Sequence, residues 1–238
     1  LMEVDLQLTG DDHWVCLHDA TLEWETTGAG PVAATPRHVI ESLRQRHQDG
    51  TPLDAPPLFL DELVERLARS PGASRLQLDL KLDGRGLTGL ARARFGALVA
   101  PLAHRFDIGA HDWQAVIELG SLAPGCRQGF DPLELLPDPD EPVLADRAAA
   151  LAFADAMLEK GRGAVMLYLY HGLITQAAAL EVDLVGIAHA HGRAVDCWTV
   201  DPGLLGLEPL IRHLFEVGCD QLTTNAPEVL EAWWQTCS

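Results

Sequence analysis

The sequence predicts an α/β protein folded as a TIM (β/α)8 barrel. Three observations carry this expectation. Strand-like runs alternate with apolar-patterned stretches of helical length, which is the rhythm of βαβ units around a parallel sheet. Seven barrel-strand candidates can be counted, one short of closure. The length, 238 residues, suits one large domain with a substantial core.

Taken in order, MEVDLQLT (2–9) alternates strictly, and HWVCLHD (13–19) is short and β-like. RLQLDLKL (75–82) is the next strong strand, followed by a helix from about Leu87 to Phe106. AVIEL (115–119), CRQGF (126–130), AVMLYLY (164–170), AVDCWTV (194–200) and DQLTT (220–224) read as further strands. Helices are expected over Asp146–Lys160, Leu173–His191 and Leu204–Val217, the last stopped by Gly218. Pro227–Thr236 reads as a closing helix with proline in its first turn. The missing strand is expected before Leu1, in about 20–40 upstream residues that would restore the usual barrel size. A doubly wound open sheet is the rival architecture, but no glycine fingerprint follows an early strand. Residues 1–238 are therefore expected to form one domain. The 10–75 connection is an insertion or lid within it, since typical βα loops run about 2–6 residues.

Composition excludes several function classes. Seventeen Lys+Arg against 35 Asp+Glu give a net charge of −18, which argues against nucleic-acid binding and anionic membrane surfaces. No apolar run approaches the roughly 18–20 residues of a membrane span. The N-terminus is acidic and alternating, unlike a secretory signal. Five cysteines without a C-x-x-C pair support neither a zinc ribbon nor a redox motif, and a cytoplasmic location is expected. Oligomeric state is silent.

Chemistry enters through alternation. Strand neighbours two apart share a face. Glu3, Asp5 and Gln7 therefore oppose Met2, Val4, Leu6 and Leu8, while Gln77, Asp79 and Lys81 oppose the leucines of the second run. Either strand alone fits a half-exposed antiparallel strand. The helices that follow argue for an enclosed inner face, where charges must be paired or metal-bound. Glu3 and Asp5 lie about 6.5–7 Å apart along a strand, so their side chains can converge on one oxygen-liganded cation. Asp79 could supply a third oxygen, and Lys81 a point charge for an anion.

The opening segment, MEVDLQLTGDDHWVCLHDATLEWETTGAG, resembles the start of the glycerophosphodiester phosphodiesterases of the phospholipase-C-like superfamily. Those enzymes carry E-x-D, then T-x-D-G-x-x-V-x-x-H-D-x-x-L-x-R-T-T-x-G-x-G. The matching positions are Glu3, Asp5, Thr9, Asp11, Val15, His18, Asp19, Leu22, Thr26, Gly28 and Gly30. Downstream, Pro57, Leu60 and Glu62 resemble P-T-L-x-E-x-L, and LDLK (78–81) resembles I-E-x-K. CWTVD (197–201) and GCDQLTTNAP (218–227) resemble the family's last two strands, while 83–190 matches only in strand–helix rhythm. Asp79 stands where the family has glutamate, and Asn225 where it has aspartate. The family's H-R-G motif, which holds a second histidine, has no counterpart here. His171, read as a loop residue after AVMLYLY, is a conceivable stand-in.

The resemblance implies one divalent cation, Mg²⁺ or Ca²⁺, on Glu3, Asp5 and Asp79. It implies His18 as a general acid/base, Lys81 on the phosphate and Trp198 lining the substrate site. The implied partner is a small-molecule glycerophosphodiester, hydrolysed to sn-glycerol 3-phosphate and an alcohol. Two alternatives stay open: a phospholipase-D-like lyase that stops at a cyclic phosphate, and a binding relative with impaired catalysis.

Overall fold

In the computed structural model, residues 1–47, 49–72, 74–82 and 86–237 are described, with the side chains of 236 and 237, and so the Cys237 thiol, outside that description. The chain groups into two compact units, Leu1–Gln128 and Gly129–Ser238.

The first unit starts with β1 (Met2–Leu8), which turns back into the short β2 (Trp14–Val15). The two pair antiparallel, Gln7 opposite Val15. Gly10 at this turn packs against the backbone of Ala34, where an added Cβ would lie 2.9 Å from the Ala34 carbonyl carbon. The long connection that follows carries a one-turn helix, α1 (Arg37–Ile40), and its own core of Val15, Leu17, Leu22, Val32, Ile40 and Phe59. Burying such side chains contributes about 1.5–3 kcal/mol each, so this segment is a packed layer. It ends in α2 (Leu60–Arg69), whose Glu62 carboxylate accepts the Phe59 N–H.

β3 (Leu76–Leu80) then pairs parallel with β1, Asp5 opposite Asp79. α3 (Gly89–Val99) is capped by the Thr88 hydroxyl, which accepts the Ala91 N–H at 3.0 Å. Such a cap contributes about 1 kcal/mol. β4 (Phe106–Ala110) is fully buried and parallel to β3, and α4 (Trp113–Leu122) follows, capped by Asp112.

AVIEL, expected as a strand, lies inside α4, and the strand is FDIGA, expected as the end of a helix. The Asp112 cap starts the helix, and Trp113, Val116, Leu119 and Gly120 recur at helical spacing on its buried face. In FDIGA, an acid and a glycine mask a strand that alternates poorly but is buried throughout.

β5 (Arg127–Phe130) crosses the boundary between the units. Within the second unit, Gly129 and Phe130 pair parallel with β6 (Met166–Tyr170), reached through α5 (Arg147–Lys160) and its Asp146 cap. The expected single helix over 173–191 is two, α6 (His171–Ala179) and α7 (Leu184–Ala190). Glu181 between them adopts φ +58°, and the Asp183 side chain starts the second helix by accepting the Gly186 N–H. β7 (Ala194–Trp198), α8 (Leu207–Glu216), β8 (Gln221–Leu222) and α9 (Pro227–Cys237) complete the chain. β6, β7 and β8 are parallel. Gly218, at φ +87°, ends α8 as expected. No single helix among the described residues is long and apolar enough to cross a membrane.

Candidate active site

The parallel register of β1 and β3 decides the geometry of the first unit. Because Asp5 lies directly opposite Asp79, their side chains share a face with Glu3 two residues back. One oxygen from each of Glu3, Asp5 and Asp79 lies within 4.8 Å of the others, and no other such group of His, Cys, Asp or Glu is found among the described residues. Oxygens on a cation at about 2.3–2.6 Å are separated by up to about 5 Å across it, so the spacing fits one ion. The donor set, all carboxylate oxygen, suits a hard divalent cation.

Lys81, just beyond β3, continues the ladder by donating its N–H to the Leu6 carbonyl. Its Nζ lies 2.6 Å from Asp79 Oδ2 and 3.3 Å from Asp5 Oδ1. Burial alone would lower the lysine pKa, but the two carboxylates overcome it and raise it, so the ammonium stays charged. Burial raises the Asp5 carboxyl. Lys81 pulls it back, with smaller opposing effects from Asp79 and His18.

His18 lies on the stretch after β2. Its side chain is 62% exposed, and Nδ1 is 2.8 Å from Asp19 Oδ1. This contact leaves Nε2 as the nitrogen turned to any ligand. The Gln7 side chain, on the same strand face as Glu3 and Asp5, donates to the His18 carbonyl at 2.9 Å. Alternation placed Gln7 on that face, but its contact with His18 spans eleven residues and left no signal in the sequence.

In the second unit, Trp198 ends β7, its ring centroid 5.6 Å from that of Tyr170. The Trp198 indole nitrogen is buried without a hydrogen-bond partner. Tyr170 also lies 4.4 Å from the ring of His171. His171 opens α6 directly and is not a loop residue; burial lowers its pKa. Asp196, two residues before Trp198 on the same strand face, is fully buried. Its Oδ2 accepts from Gln221 Nε2 and Thr223 Oγ1, both at 2.7 Å, and its Oδ1 has no partner. Asp196 was not singled out in the sequence, although a carboxylate inside the apolar run AVDCWTV is a visible signal.

Comparison with known proteins follows the same outline. Residues 1–81 match the Glycerophosphoryl diester phosphodiesterase family. A "Probable glycerophosphodiester phosphodiesterase 1" of Mycobacterium tuberculosis is 28% identical over 245 aligned positions, covering 98% of this chain and 81% of the relative. A glycerophosphodiester phosphodiesterase structure from Parabacteroides distasonis superposes with TM-score 0.66 at 19% identity, covering 98% of this chain and 83% of that one. An Oleispira antarctica phosphodiesterase, solved with its product sn-glycerol-3-phosphate, gives TM-score 0.65 at 20% identity over 97% and 83% of the two chains. The structural likeness carries the fold, the barrel expected from the strand–helix rhythm.

Proposed function

We propose that this chain, similar over residues 1–81 to the glycerophosphodiester phosphodiesterase family, belongs to it and hydrolyses glycerophosphodiesters to sn-glycerol 3-phosphate and an alcohol. In this reading Glu3, Asp5 and Asp79 hold one divalent cation, Mg²⁺ or Ca²⁺. The observation that carries it is the convergence of those three carboxylates beside a charged lysine. When bound, the cation supplies Lewis-acid stabilisation of the phosphate charge.

The chain's own residues account for the rest. A diester carries one negative charge that grows in the transition state, and the Lys81 ammonium, held by Asp79 and Asp5, offsets part of it. His18, with Nδ1 turned to Asp19, presents Nε2 to take a proton from an attacking hydroxyl or return one to the leaving oxygen. Trp198, by resemblance, covers the glycerol carbons. The cytoplasm is the compartment this reading favours, following the cysteine pattern, and the substrate is a small molecule.

The test is release of glycerol 3-phosphate from several glycerophosphodiesters, with and without chelator, in wild type and His18→Ala. Chelator is expected to abolish turnover, and Mg²⁺ or Ca²⁺ to restore it. His18→Ala is expected to lower kcat by about 10²–10⁴-fold, the usual contribution of a positioned acid/base. Activity surviving both treatments would refute the site. A product that stops at the cyclic phosphate would reassign the chain as a lyase.

A further inference from the structure

We propose that Glu25 is a positioning residue for His18, one of its carboxylate oxygens fixing the backbone of both His18 and Asp19. The inference rests on the reading of His18 as an acid/base group and goes beyond it, because no sequence motif assigns Glu25 this task.

Residues 16–20 belong to no helix or strand. With its side chain 62% exposed, His18 cannot be aimed by packing. Its position has to come from the backbone. The buried Leu17 anchors one side. The Gln7 amide holds the His18 carbonyl at 2.9 Å. On the other side, Glu25 Oε2 accepts the His18 N–H at 2.9 Å and the Asp19 N–H at 2.8 Å. The same two residues are joined by the Nδ1–Oδ1 contact of 2.8 Å. One oxygen therefore fixes both halves of the His–Asp pair through charge-assisted bonds, which are about twice as strong as neutral ones.

Glu25 is itself held rigidly. Thr26, fully buried, returns both its N–H and its hydroxyl to the carbonyl of the buried Leu22, at 3.0 and 2.7 Å. The Glu25 carbonyl accepts the Arg46 N–H at 2.7 Å. The framework runs from a packed core through one turn to the histidine. Burial raises the Glu25 carboxyl pKa, and the amides of Asp19 and His18 hold it back.

The experiment compares Glu25→Ala, Glu25→Asp and Glu25→Gln with His18→Ala and the His18→Ala/Glu25→Ala double variant, using glycerol 3-phosphate release and melting temperature. Glutamine keeps an oxygen where both bonds are accepted and is expected to retain kcat within about two-fold. Alanine is expected to lower kcat by about 10–100-fold, the scale of a misplaced catalytic group, with KM little changed. Aspartate, which keeps the charge and withdraws the oxygen, should fall between them and serves if the alanine variant is unstable. In the His18→Ala background, Glu25→Ala should change the residual rate by less than two-fold. An unchanged kcat in the alanine or aspartate variant, or an equal loss with His18 already removed, overturns the proposal while leaving His18 in place. Full activity of His18→Ala alone overturns the acid/base reading itself, and the positioning role with it.

Discussion

Asp5 and Asp196 are both carboxylates on parallel strands, and burial raises the pKa of each. Their neighbours differ. Asp5 faces Glu3 and Asp79, with Lys81 as counter-charge 3.3 Å away. Asp196 has only the neutral donors Gln221 and Thr223, and one oxygen without a partner. The first arrangement accumulates negative charge and keeps it partly wet. The second satisfies one oxygen and leaves the group best tolerated as the neutral acid. A buried carboxylate is therefore not by itself a site. Convergent carboxylates beside a cation make one.

Removing a member of the first cluster should have the largest effect. Asp5→Ala is expected to lower glycerol 3-phosphate release by about 10³-fold, as expected when the cation that offsets developing charge loses a ligand. It should also abolish the thermal shift that Mg²⁺ or Ca²⁺ gives the wild type. A variant that keeps both would separate the cluster from catalysis.

Asp196→Asn tests the other half of the contrast. The folded-state pKa of Asp196 is raised above the ordinary aspartate value, so the native state binds the extra proton. Its stabilising effect is present below that value and lost as pH rises through the folded pKa. The asparagine variant should gain relative to wild type between pH 4 and pH 8, by about 1.4 kcal/mol for each unit of elevation. Urea unfolding at the two pH values reads this out; a difference that is flat with pH would show that Asp196 ionises normally.

The smallest expected change is Asp79→Glu, which lengthens the third ligand by one methylene. Cation affinity should rise by about three-fold, or about 0.7 kcal/mol, measured by calorimetry. Weaker binding would mean that the 2.6 Å contact with Lys81 depends on the shorter side chain.

The two regions were unequally legible in the sequence. Glu3, Asp5, Asp79 and Lys81 could be assigned to shared faces because the 2–9 and 75–82 runs alternate cleanly, and residue spacing there carries geometric information. Asp196 was visible as a carboxylate in an apolar run, but that run, the pattern of a strand buried on both faces, does not show which groups meet it. FDIGA was lost because Asp107 and Gly109 lower its strand signal although every residue is buried. AVIEL was misread because five apolar-rich residues fit either period, and the Asp112 cap and the apolar spacing beyond those five residues decide between them. The break after α6 depends on a left-handed Glu181, which no residue preference announces. The Gln7 and Glu25 contacts with His18 join residues eleven and seven apart through an irregular turn, and no periodicity encodes such contacts.

The contacts of Trp14 bear on the order in which the molecule assembles. Trp14, beside the turn that leads to His18, donates its indole N–H to the Ala91 carbonyl, 77 residues away, and meets Phe95 edge-on at 5.5 Å. Both partners belong to α3. The hairpin that precedes the histidine therefore gains its anchor only after β3 and α3 have been made and docked. Non-local contacts of this kind form late, because the chain must first close a long loop. The stretch that reads as the most recognisable motif in the sequence thus depends, for one anchor, on a helix far along the chain.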